Sequence, residues 1–509
     1  MSVLVSDASL GIYNPDDAIK RRIDILYDCL YFFALVAAGI FLVYYVPRSL
    51  NNLVFIVYFV LYYRSKREYV WIAFLFFILD QPGYLFSGEA KEELHRLPLY
   101  SLLPGFSFSF AQVFIMVMLV KAYRKMDPVK LYFKGPMKIF ALYFVFMLFY
   151  SIILDYYEQT TIEYFQHLVY FSLFLSIPRL MQSKEHLVRL CYVFCATMII
   201  VVITQAYILM NGEEFVGIFY PSYYYFYDTD MVGYVARAIS GTFINLSTFI
   251  LILVLMTSQN IRSNKVTLNI FFIVCMLSIL ITGTRGWILG YLIVLPIFLA
   301  FTFGNVIRTL NVVFTIFLGV TIGYLAYVNI PILKNQIDSS VERLTTVEKI
   351  SEGDESAGGT LLRLTERGPR VMKKYLESPV FGWGFTGVTH QYIDGHVGNH
   401  TILLVGGAVG GIIMLYLWIH FLITVFSTWM KLSSDNPMKS AMFVFIAMFF
   451  GIFFIHSTST QMFGYAIEFS PSLKILFLAF FFSLANFYII EAKRENEIFE
   501  NALSSSSHA

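Results

Sequence analysis

Long apolar runs, separated by short polar stretches, make up most of this chain. A helix needs roughly 20 apolar residues to cross the hydrocarbon core of a bilayer. The pattern therefore predicts an all-α polytopic membrane protein with about fourteen transmembrane helices. The predicted spans are residues 25–46, 48–64, 68–86, 102–123, 136–155, 161–179, 187–210, 236–257, 267–283, 286–304, 307–331, 399–428, 438–458 and 468–490.

The polar stretches between these runs alternate in charge. Lysine and arginine are enriched in the cytoplasmic loops of membrane proteins. The segment before the first run and every even-numbered loop are basic, as in RSKRE at 64–68, whereas most odd-numbered loops are acidic or aromatic. The alternation predicts cytoplasmic chain ends. It divides the chain into a transmembrane bundle at 1–331, a large outer loop at 332–398, C-terminal transmembrane helices at 399–490 and a cytoplasmic tail at 491–509.

Composition agrees with a membrane protein. Of 509 residues, 58% are hydrophobic and only 14% are charged, whereas about a quarter of the residues in a soluble protein are charged. The net charge is +2 and the basic residues are spread over many short loops, which gives no sign of a nucleic-acid partner. The four cysteines all lie within apolar runs, so we expect buried thiols rather than a disulfide framework.

One long polar segment, from Gly358 to Gly411, interrupts the apolar pattern. It is basic and rich in histidine and glycine. Arg363, Arg367 and Arg370 recur at spacings of four and three residues, so on a helix they would share one face. Two interpretations fit this stripe: a solvated basic face, or guanidinium groups that each hold two phosphate oxygens.

Two further arginines, Arg237 and Arg285, lie beside apolar runs on the predicted outer face. An arginine inside a bilayer costs about 2.5–3.5 kcal/mol on insertion scales. Each is either a boundary residue whose charge reaches the membrane surface or a clamp for an anion. Positive charge is otherwise scarce on that face, which favours the anion clamp.

Histidines follow the arginine stripe at His390, His396 and His400. His396 and His400 have the i, i+4 spacing of two metal ligands on one helix face, and Asp394 is near. Glycines within this stretch favour a loop instead, and the metalloprotease motif HExxH is absent from the sequence. We therefore predict no metal site and no other cofactor.

His400 differs from the other two histidines because it lies where the chain re-enters the membrane, between Asn399 and Thr401. A neutral imidazole at that point is suited to accept the proton of a hydroxyl group. The glycines of ILLVGGAVGG follow directly, and small residues spaced by four let helices approach closely. We expect these glycines to bring His400 up against Arg285 or Arg237.

A tyrosine-rich loop precedes the first of these arginines, at residues 211–230. Tyrosine is enriched where membrane proteins meet the lipid headgroups, so the loop is typical of an aromatic belt. Aromatic side chains also stack on the C–H faces of sugar rings. Both interpretations stay open from the sequence.

Several motifs of the C-terminal half occur in a recognisable order. They are RAISGTFIN at 237–245, TRGW at 284–287, and SPVFGWG at 378–384 followed by NHT and a glycine-rich helix. Together they resemble the O-antigen ligase/polymerase superfamily of bacterial envelopes. The SPVFGWG segment, with the histidine and glycines after it, is the most specific part. The resemblance implies a fold like that of C-type membrane glycosyltransferases, with one large periplasmic loop at 332–398.

The resemblance also implies an undecaprenyl-diphosphate-linked glycan as donor, and neither a metal nor a nucleotide sugar. By position, Arg237 and Arg285 match the family's membrane-edge arginines, and His400 matches its histidine at the loop-to-helix boundary. Met414 stands where ligases have Gly, Thr or Tyr, which is a departure from the ligase subtype.

The predicted function is polymerisation of lipid-linked oligosaccharide repeat units at the bacterial inner membrane, by a metal-independent, inverting glycosyltransferase whose active site faces the periplasm. The predicted catalytic residues are His400, Arg285 and Arg237, and the predicted substrate-binding residues are Arg363, Arg367, Arg370, Asn399 and Thr401. Expected partners are an acceptor glycan, the lipid bilayer, a flippase and a chain-length regulator. Two alternatives stay open: an O-antigen ligase that uses lipid A–core as acceptor, and a polysaccharide transporter or flippase.

Overall fold

The structure is a computed structural model of the chain. It describes residues 15–80, 85–86, 97–103, 106–154, 158–211, 224–227, 235–238, 241–258, 261, 263–302, 306–338, 341, 363–433, 436–458, 462–465 and 471–506.

Helices form nearly all of the regular structure in these ranges. In chain order they are α1 Pro15–Tyr45, α2 Arg48–Arg64, α3 Glu68–Leu79, α4 Phe110–Lys125, α5 Lys134–Leu154, α6 Glu158–Phe171, α7 Leu173–Leu180, α8 Lys184–Asn211, α9 Thr242–Thr257, α10 Lys265–Ile281, α11 Arg285–Thr302, α12 Val306–Asn329, α13 Pro331–Asp338, α14 Gly368–Tyr375, α15 Gly387–Tyr392, α16 Gly398–Lys431, α17 Lys439–Thr458 and α18 Pro471–Ser506. A π-helical turn, Arg363–Arg367, precedes α14. Short antiparallel hairpins pair β1 Leu99–Leu103 with β2 Phe106–Ser109, and β3 Tyr224–Tyr227 with β4 Val235–Ala238.

Many of these helices are suited to a bilayer. Within the described ranges, six are long and apolar enough to cross it: Ile19–Tyr45, Lys134–Leu154, Lys184–Met210, Gly398–Lys431, Lys439–Thr458 and Ser472–Ile498. α12 and α13 together form a further candidate, bent by 113° between them. Shorter apolar helices are Leu50–Arg64, Glu68–Leu79, Thr242–Thr257, Lys265–Ile281 and Arg285–Ala300. The predicted class of all-α polytopic membrane protein is confirmed, while the number of crossings stays a prediction.

Two helices begin later than the apolar pattern predicts. The predicted span 102–123 starts within the β1–β2 hairpin, and the predicted span 236–257 starts on strand β4. The second helix, α9, is started by Gly241, which has a φ of 79°, in the left-handed region that favours glycine. The Asp80 carboxylate accepts hydrogen bonds from the N–H groups of Gly241 at 3.0 Å and Ile244 at 2.9 Å. Asp80 therefore caps the first turn of α9.

Charged side chains of the basic loops meet at one end of the bundle. The buried Asp28 carboxylate of α1 lies 3.3 Å from the Arg67 guanidinium and 3.2 Å from that of Arg189 on α8. Nearby, Lys121 of α4 forms a buried ion pair with Glu68 of α3 at 2.9 Å. A buried charge is tolerated only when it is paired in this way. These pairs tie α1, α3, α4 and α8 together at what we call the basic end.

Other contacts define the opposite end of the bundle. There Asp80 meets the start of α9, and the Gln336 side chain of α13 donates to the Ile281 carbonyl of α10 at 2.7 Å. Asn399 at the start of α16 donates to the Ser457 hydroxyl near the end of α17 at 3.0 Å. The polar segment that begins at residue 363 belongs to this end, because it packs on the first turns of α16. We call it the loop end.

The centre of the bundle is apolar and closely packed. α3 and α9 are buried on all sides, as expected for helices that are hydrophobic around their whole circumference. Cys191, Cys195 and Cys275 are buried and carry free thiols, and Cys29 is a partly buried free thiol. The thiols therefore belong to the apolar core.

Candidate active site at the loop end

The SPVFGWG segment lies against a break in α16. Gly407 has non-helical angles, φ 61° and ψ −167°, within that helix. The break frees main-chain groups that a continuous helix would pair internally. The N–H groups of Trp383 and Gly384 donate to two of the freed carbonyls, those of Leu404 at 2.8 Å and Val405 at 3.0 Å.

Hydrogen bonds also run in the other direction. The N–H groups of Ala408 and Val409, just past the break, donate to the carbonyls of Pro379 at 2.8 Å and Val380 at 3.1 Å. Irregular main chain at membrane depth is tolerated only where protein groups or water satisfy it. The segment therefore makes the break possible, and the break fixes the segment in place.

Glycine is required at this junction. A Cβ on Gly407 would overlap the Val380 carbonyl, and a Cβ on Gly382 would overlap the Val405 carbonyl. Gly382 also has a φ of 70°, which disfavours any other residue. The main chains of the segment and of α16 are thus in direct contact.

The glycines of α16 have a different purpose from the one predicted. We expected them to let the helices that carry Arg285 or Arg237 approach His400. Instead, Gly406 and Gly410 face two tyrosines, and their carbonyls accept hydrogen bonds from Tyr143 at 2.7 Å and Tyr465 at 3.0 Å. The glycines therefore lie against Tyr143 of α5 and Tyr465 and not against the helices that carry the two arginines, while the approach of His400 to either arginine stays a prediction.

His400 lies in the first turn of α16 and is partly exposed. None of the described residues donates to its imidazole, accepts from it or forms an ion pair with it. Its neighbours in sequence are fixed: the Asn399 amide donates to Ser457 of α17, and the Thr401 hydroxyl donates to the Asp394 carbonyl at 3.0 Å. The His400 imidazole, unbound by the described residues, therefore stands on a helix start that its sequence neighbours hold in place.

Thr401 has no exposed surface. Its hydroxyl is bound to main chain, so its contribution is to join the start of α16 to the loop before it. The Asn399 amide likewise connects α16 to α17. Both residues were predicted to bind substrate, and the structure gives each of them a contact that positions His400.

Arg285 is the first residue of α11 and is partly buried. α11 runs antiparallel to α17, since a Cβ on Gly290 would lie 2.7 Å from the Ile455 side chain, whereas a Cβ on Gly451 would lie 2.6 Å from the Val294 side chain. Arg285 precedes this contact by five residues, or about 7.5 Å along a helix. It therefore stands level with the end of α17, the same end that Asn399 of α16 contacts. The structure thus brings the starts of α11 and α16 to the same end of α17.

An open cleft of about 420 Å³ lies beside the start of α16. The Asp394 carboxylate lines it, 3.9 Å from the Arg367 guanidinium and 3.6 Å from that of Arg370. The two arginine side chains are 39% and 51% exposed. Asp394 and Glu366 balance the two arginines in the lining, so an anionic ligand would bind here by taking the place of a carboxylate beside the guanidinium groups. The remaining lining residues are Glu366, Ile393, Gly395 and His396.

The arginine stripe is only partly helical as predicted. Arg363–Arg367 is a π-helical turn, and α14 follows it. Arg367 and Arg370 share the cleft, which agrees with a common face. The side chain of Arg363 lies outside the described part of the structure.

Arg237 lies on strand β4, where its Cα pairs with that of Tyr225. It therefore sits on a hairpin before α9 and not on the membrane helix that was predicted to carry it. Its side chain, like the tyrosine side chains of 211–230, lies outside what the structure describes. The proximity of Arg237 to His400 stays a prediction.

Two residues of this end were not predicted to matter. Asp394 was predicted only as a neighbour of the histidines, yet its carboxylate lies within 4 Å of both arginines. His456 of α17 is fully buried against Gly398, and its Nδ1 accepts from the N–H groups of Met462 at 3.0 Å and Phe463 at 3.2 Å. The polar run HSTST at the end of an apolar stretch was the available signal for His456.

In the described part of the chain, no group of three or more His, Cys, Asp or Glu side chains is placed to hold a metal ion. Comparison with protein-family models and with curated proteins finds no match for this chain. The family resemblance noted from the motifs therefore remains a prediction.

Proposed function

We propose that this protein is a glycan polymerase that transfers oligosaccharide repeat units from an undecaprenyl-diphosphate carrier to an acceptor sugar hydroxyl. The proposal includes about fourteen membrane crossings, an inner-membrane location and a periplasmic loop end. The observation that carries it is the partly exposed His400 imidazole, which is unbound by any described residue and stands one residue from the contact between Thr401 and Asp394.

The reaction needs a base for the attacking hydroxyl. In the proposed step, the acceptor oxygen bonds to the anomeric carbon of the donor sugar while the bond from that carbon to the diphosphate oxygen breaks. The hydroxyl proton passes to the His400 imidazole, and undecaprenyl diphosphate leaves with the bonding electrons. Attack opposite to the leaving group inverts the anomeric configuration. General-base help of this kind contributes about 10²–10⁴-fold to a rate.

The leaving group carries the negative charge that develops during the step. Positive groups placed at that charge stabilise the transition state more than the ground state. Arg285, level with the end of α17, is the proposed partner of the diphosphate. Arg367 and Arg370 would hold the diphosphate of a second lipid-linked glycan in the cleft. Arg237 and Arg363 are further candidates to contact a diphosphate group.

The first test replaces His400 with Ala in the full-length protein and measures chain growth in membranes supplied with lipid-linked repeat units. We expect the rate to fall by about 10²–10⁴-fold, with undiminished protein in the membrane. The matched control is His420→Ala, because His420 lies on the same helix and its ring is near Thr424 at the basic end. Normal chain growth in the His400 variant would exclude the histidine as the base.

A second test separates polymerase from ligase. Disruption of a polymerase gene leaves single repeat units on the lipid A–core, whereas disruption of a ligase gene leaves none. Met414, at the position where the ligase pattern departs, is buried in the middle of α16 and does not reach the cleft. A glycan-free core after disruption would assign the ligase reaction instead.

A further inference from the structure

A groove at the basic end of the bundle has no part in the site described above. It has a volume of about 420 Å³ and lies between the start of α5, the junction of α6 with α7, and the middle of α18. Its walls are mainly apolar side chains, among them Phe133, Met137, Phe171, Phe174, Leu175 and Phe482. The size is within the range of pockets that hold small molecules in proteins.

An interruption between two helices produces the groove. α6 ends at Phe171 and α7 begins at Leu173. The Ser172 hydroxyl between them donates to the Val169 carbonyl at 2.7 Å. Pro178 lies inside α7 and lacks the N–H group that a regular helix would use. Two short helices, in place of one continuous span, thus line the groove between α5 and α18.

The polar groups in the groove are already bound to the main chain. The Asn486 side chain accepts from the Tyr132 N–H at 2.8 Å and donates to the Lys130 carbonyl at 2.9 Å. The Ser483 hydroxyl donates to the Ala479 carbonyl. The interior therefore offers hydrocarbon contacts to a ligand and few hydrogen bonds.

The rim of the groove is cationic. Lys134 and Lys138 line it one helical turn apart, and both are exposed. Neither has an acidic partner among the described residues. Two more lysines stand over the nearby Tyr132 ring, Lys493 at 4.3 Å and Lys130 at 5.2 Å from its centroid. Four positive charges therefore gather beside an apolar groove at the end of a membrane helix.

We propose that this groove binds an anionic phospholipid, with its acyl chains against the apolar walls and its phosphate on Lys134 and Lys138. Basic pockets between membrane helices on the cytoplasmic side suit anionic headgroups. The cluster favours a lipid with net negative charge over a zwitterionic one, because an ammonium headgroup would face the lysines. The groove lies at the opposite end from His400, so this proposal is independent of the glycan chemistry.

The experiment uses the purified full-length protein, given either phosphatidylglycerol or phosphatidylethanolamine, with bound lipid measured by native mass spectrometry. We expect the double variant Lys134→Gln/Lys138→Gln to bind phosphatidylglycerol roughly thirtyfold more weakly, with little change for phosphatidylethanolamine. The matched control is Lys66→Gln/Lys431→Gln, since Lys66 lies in another basic loop, Lys431 ends α16, and both are exposed. Ala141→Phe, which places a ring in the groove, should weaken both lipids.

Several outcomes would overturn the proposal. Unchanged phosphatidylglycerol binding by the double lysine variant would show that the two lysines do not bind the headgroup. Equal binding of the two lipids by the wild type would show that the groove does not select an anionic lipid. Displacement of phosphatidylglycerol by undecaprenyl phosphate, with the same dependence on the lysines, would assign the groove to the polyprenyl carrier. The lysine variants alter exposed side chains, so they test the proposal even if Ala141→Phe fails to fold.

Discussion

Asp394 organises the candidate site through both its side chain and its main chain. One carboxylate oxygen accepts from the His396 N–H at 2.9 Å, and the other faces the two arginines of the cleft. Its carbonyl accepts from Thr401, directly beside His400. Because the arginine contacts are long and exposed, the ion pairs themselves contribute little to stability. Their effect is to lower the positive charge that a ligand meets.

Replacing Asp394 with Asn should therefore strengthen anion binding in the cleft. The amide oxygen can still accept from His396, so the loop is retained, while one negative charge is removed. A unit charge about 4 Å away is worth about 1 kcal/mol in water, or roughly a fivefold change in affinity. The measurement is the binding of a polyprenyl diphosphate to the solubilised protein at low salt, where surface charges act most strongly.

The control for this variant is Glu377→Gln. Glu377 is an exposed acid of the same loop, paired with Lys374 at 2.7 Å, and it does not line the cleft. Its replacement should leave the affinity nearly unchanged. Weaker binding by the Asp394 variant would show that the carboxylate orders the arginines for the ligand and does not compete with it.

At this scale the sequence predicted the residue types but not the pairings. Arg367 and Arg370 were placed on one face by their spacing, and His400 was singled out by its position before a glycine-rich helix. The contacts of Asp394 with these arginines join residues more than 20 positions apart, so no local pattern reveals them. Thr401 was likewise predicted to bind substrate, because the residue type does not show that its hydroxyl is buried.

Among the elements, α16 depends most on a partner distant in sequence. Its break at Gly407 exists together with the 379–384 segment, and each satisfies the other's main-chain groups. Ser151 of α5 supports the far end of that segment, since its hydroxyl accepts from the Phe385 N–H at 2.6 Å. The first turns of α16, and with them His400, are therefore oriented by contacts from outside the helix.

Replacing Gly407 with Ala should disrupt this junction. Alanine at a positive φ costs about 1–2 kcal/mol, and the added Cβ would also overlap the Val380 carbonyl. We expect a loss of at least about 2 kcal/mol in the free energy of unfolding, measured by thermal or denaturant unfolding in detergent, with faster proteolysis of the 379–384 segment.

Gly411→Ala is the comparison for that variant. Gly411 is helical, and the nearest atom to an added Cβ is the end of the Leu403 side chain at 2.9 Å, which can rotate away. Alanine in a helix interior is about 1 kcal/mol better than glycine, so this variant should be close to neutral or more stable. Equal destabilisation of the two variants would contradict the assigned importance of the break.

The lengths of the apolar runs predicted which segments form helices, but they did not predict the residues at which the helices begin. The residues VARA of β4 lie at the edge of an apolar run and look like the beginning of a span. The helix begins instead at Thr242, because Gly241 turns the chain and Asp80 caps the first N–H groups. Asp80 is 161 residues away from Gly241. Tertiary contacts of this kind override the local pattern.

On the scale of the whole molecule, charge and polarity divide between two ends. Arg67, Lys121 and Arg189 come from separate basic loops or the helices beside them, and their ion pairs lie together at the basic end. The alternation of loop charge along the sequence is thus matched by contacts in space. The orientation of that end toward the cytoplasm stays a prediction.

Single cysteines test that orientation. In a variant without the native cysteines, Cys should replace either Lys66 of a basic loop or Glu377 of the loop end, both of which are exposed. We expect a membrane-impermeant maleimide to label position 377 in intact spheroplasts and position 66 only after permeabilisation. The native thiols at 191, 195 and 275 are buried and that of Cys29 is partly buried, so their replacement by Ala removes background with little change to the surface.

The reverse labelling pattern would invert the membrane orientation and place His400 on the cytoplasmic side, which would also remove the proposed donor from reach. Labelling of both positions from outside would contradict the prediction that basic loops and the loop end lie on opposite sides of the membrane. Replacement of Arg370 by Cys gives an independent loop-end position, since its side chain is about half exposed.

The junction between α16 and the 379–384 segment also bears on how the protein is made. The segment leaves the ribosome before the residues at 404–409 do, so its hydrogen bonds with α16 can form only once both parts of the chain have been made. Until then, the main-chain groups on either side of Gly407 need other partners, because an unpaired group in hydrocarbon costs several kcal/mol. The junction therefore couples the folding of the 379–384 segment to that of α16.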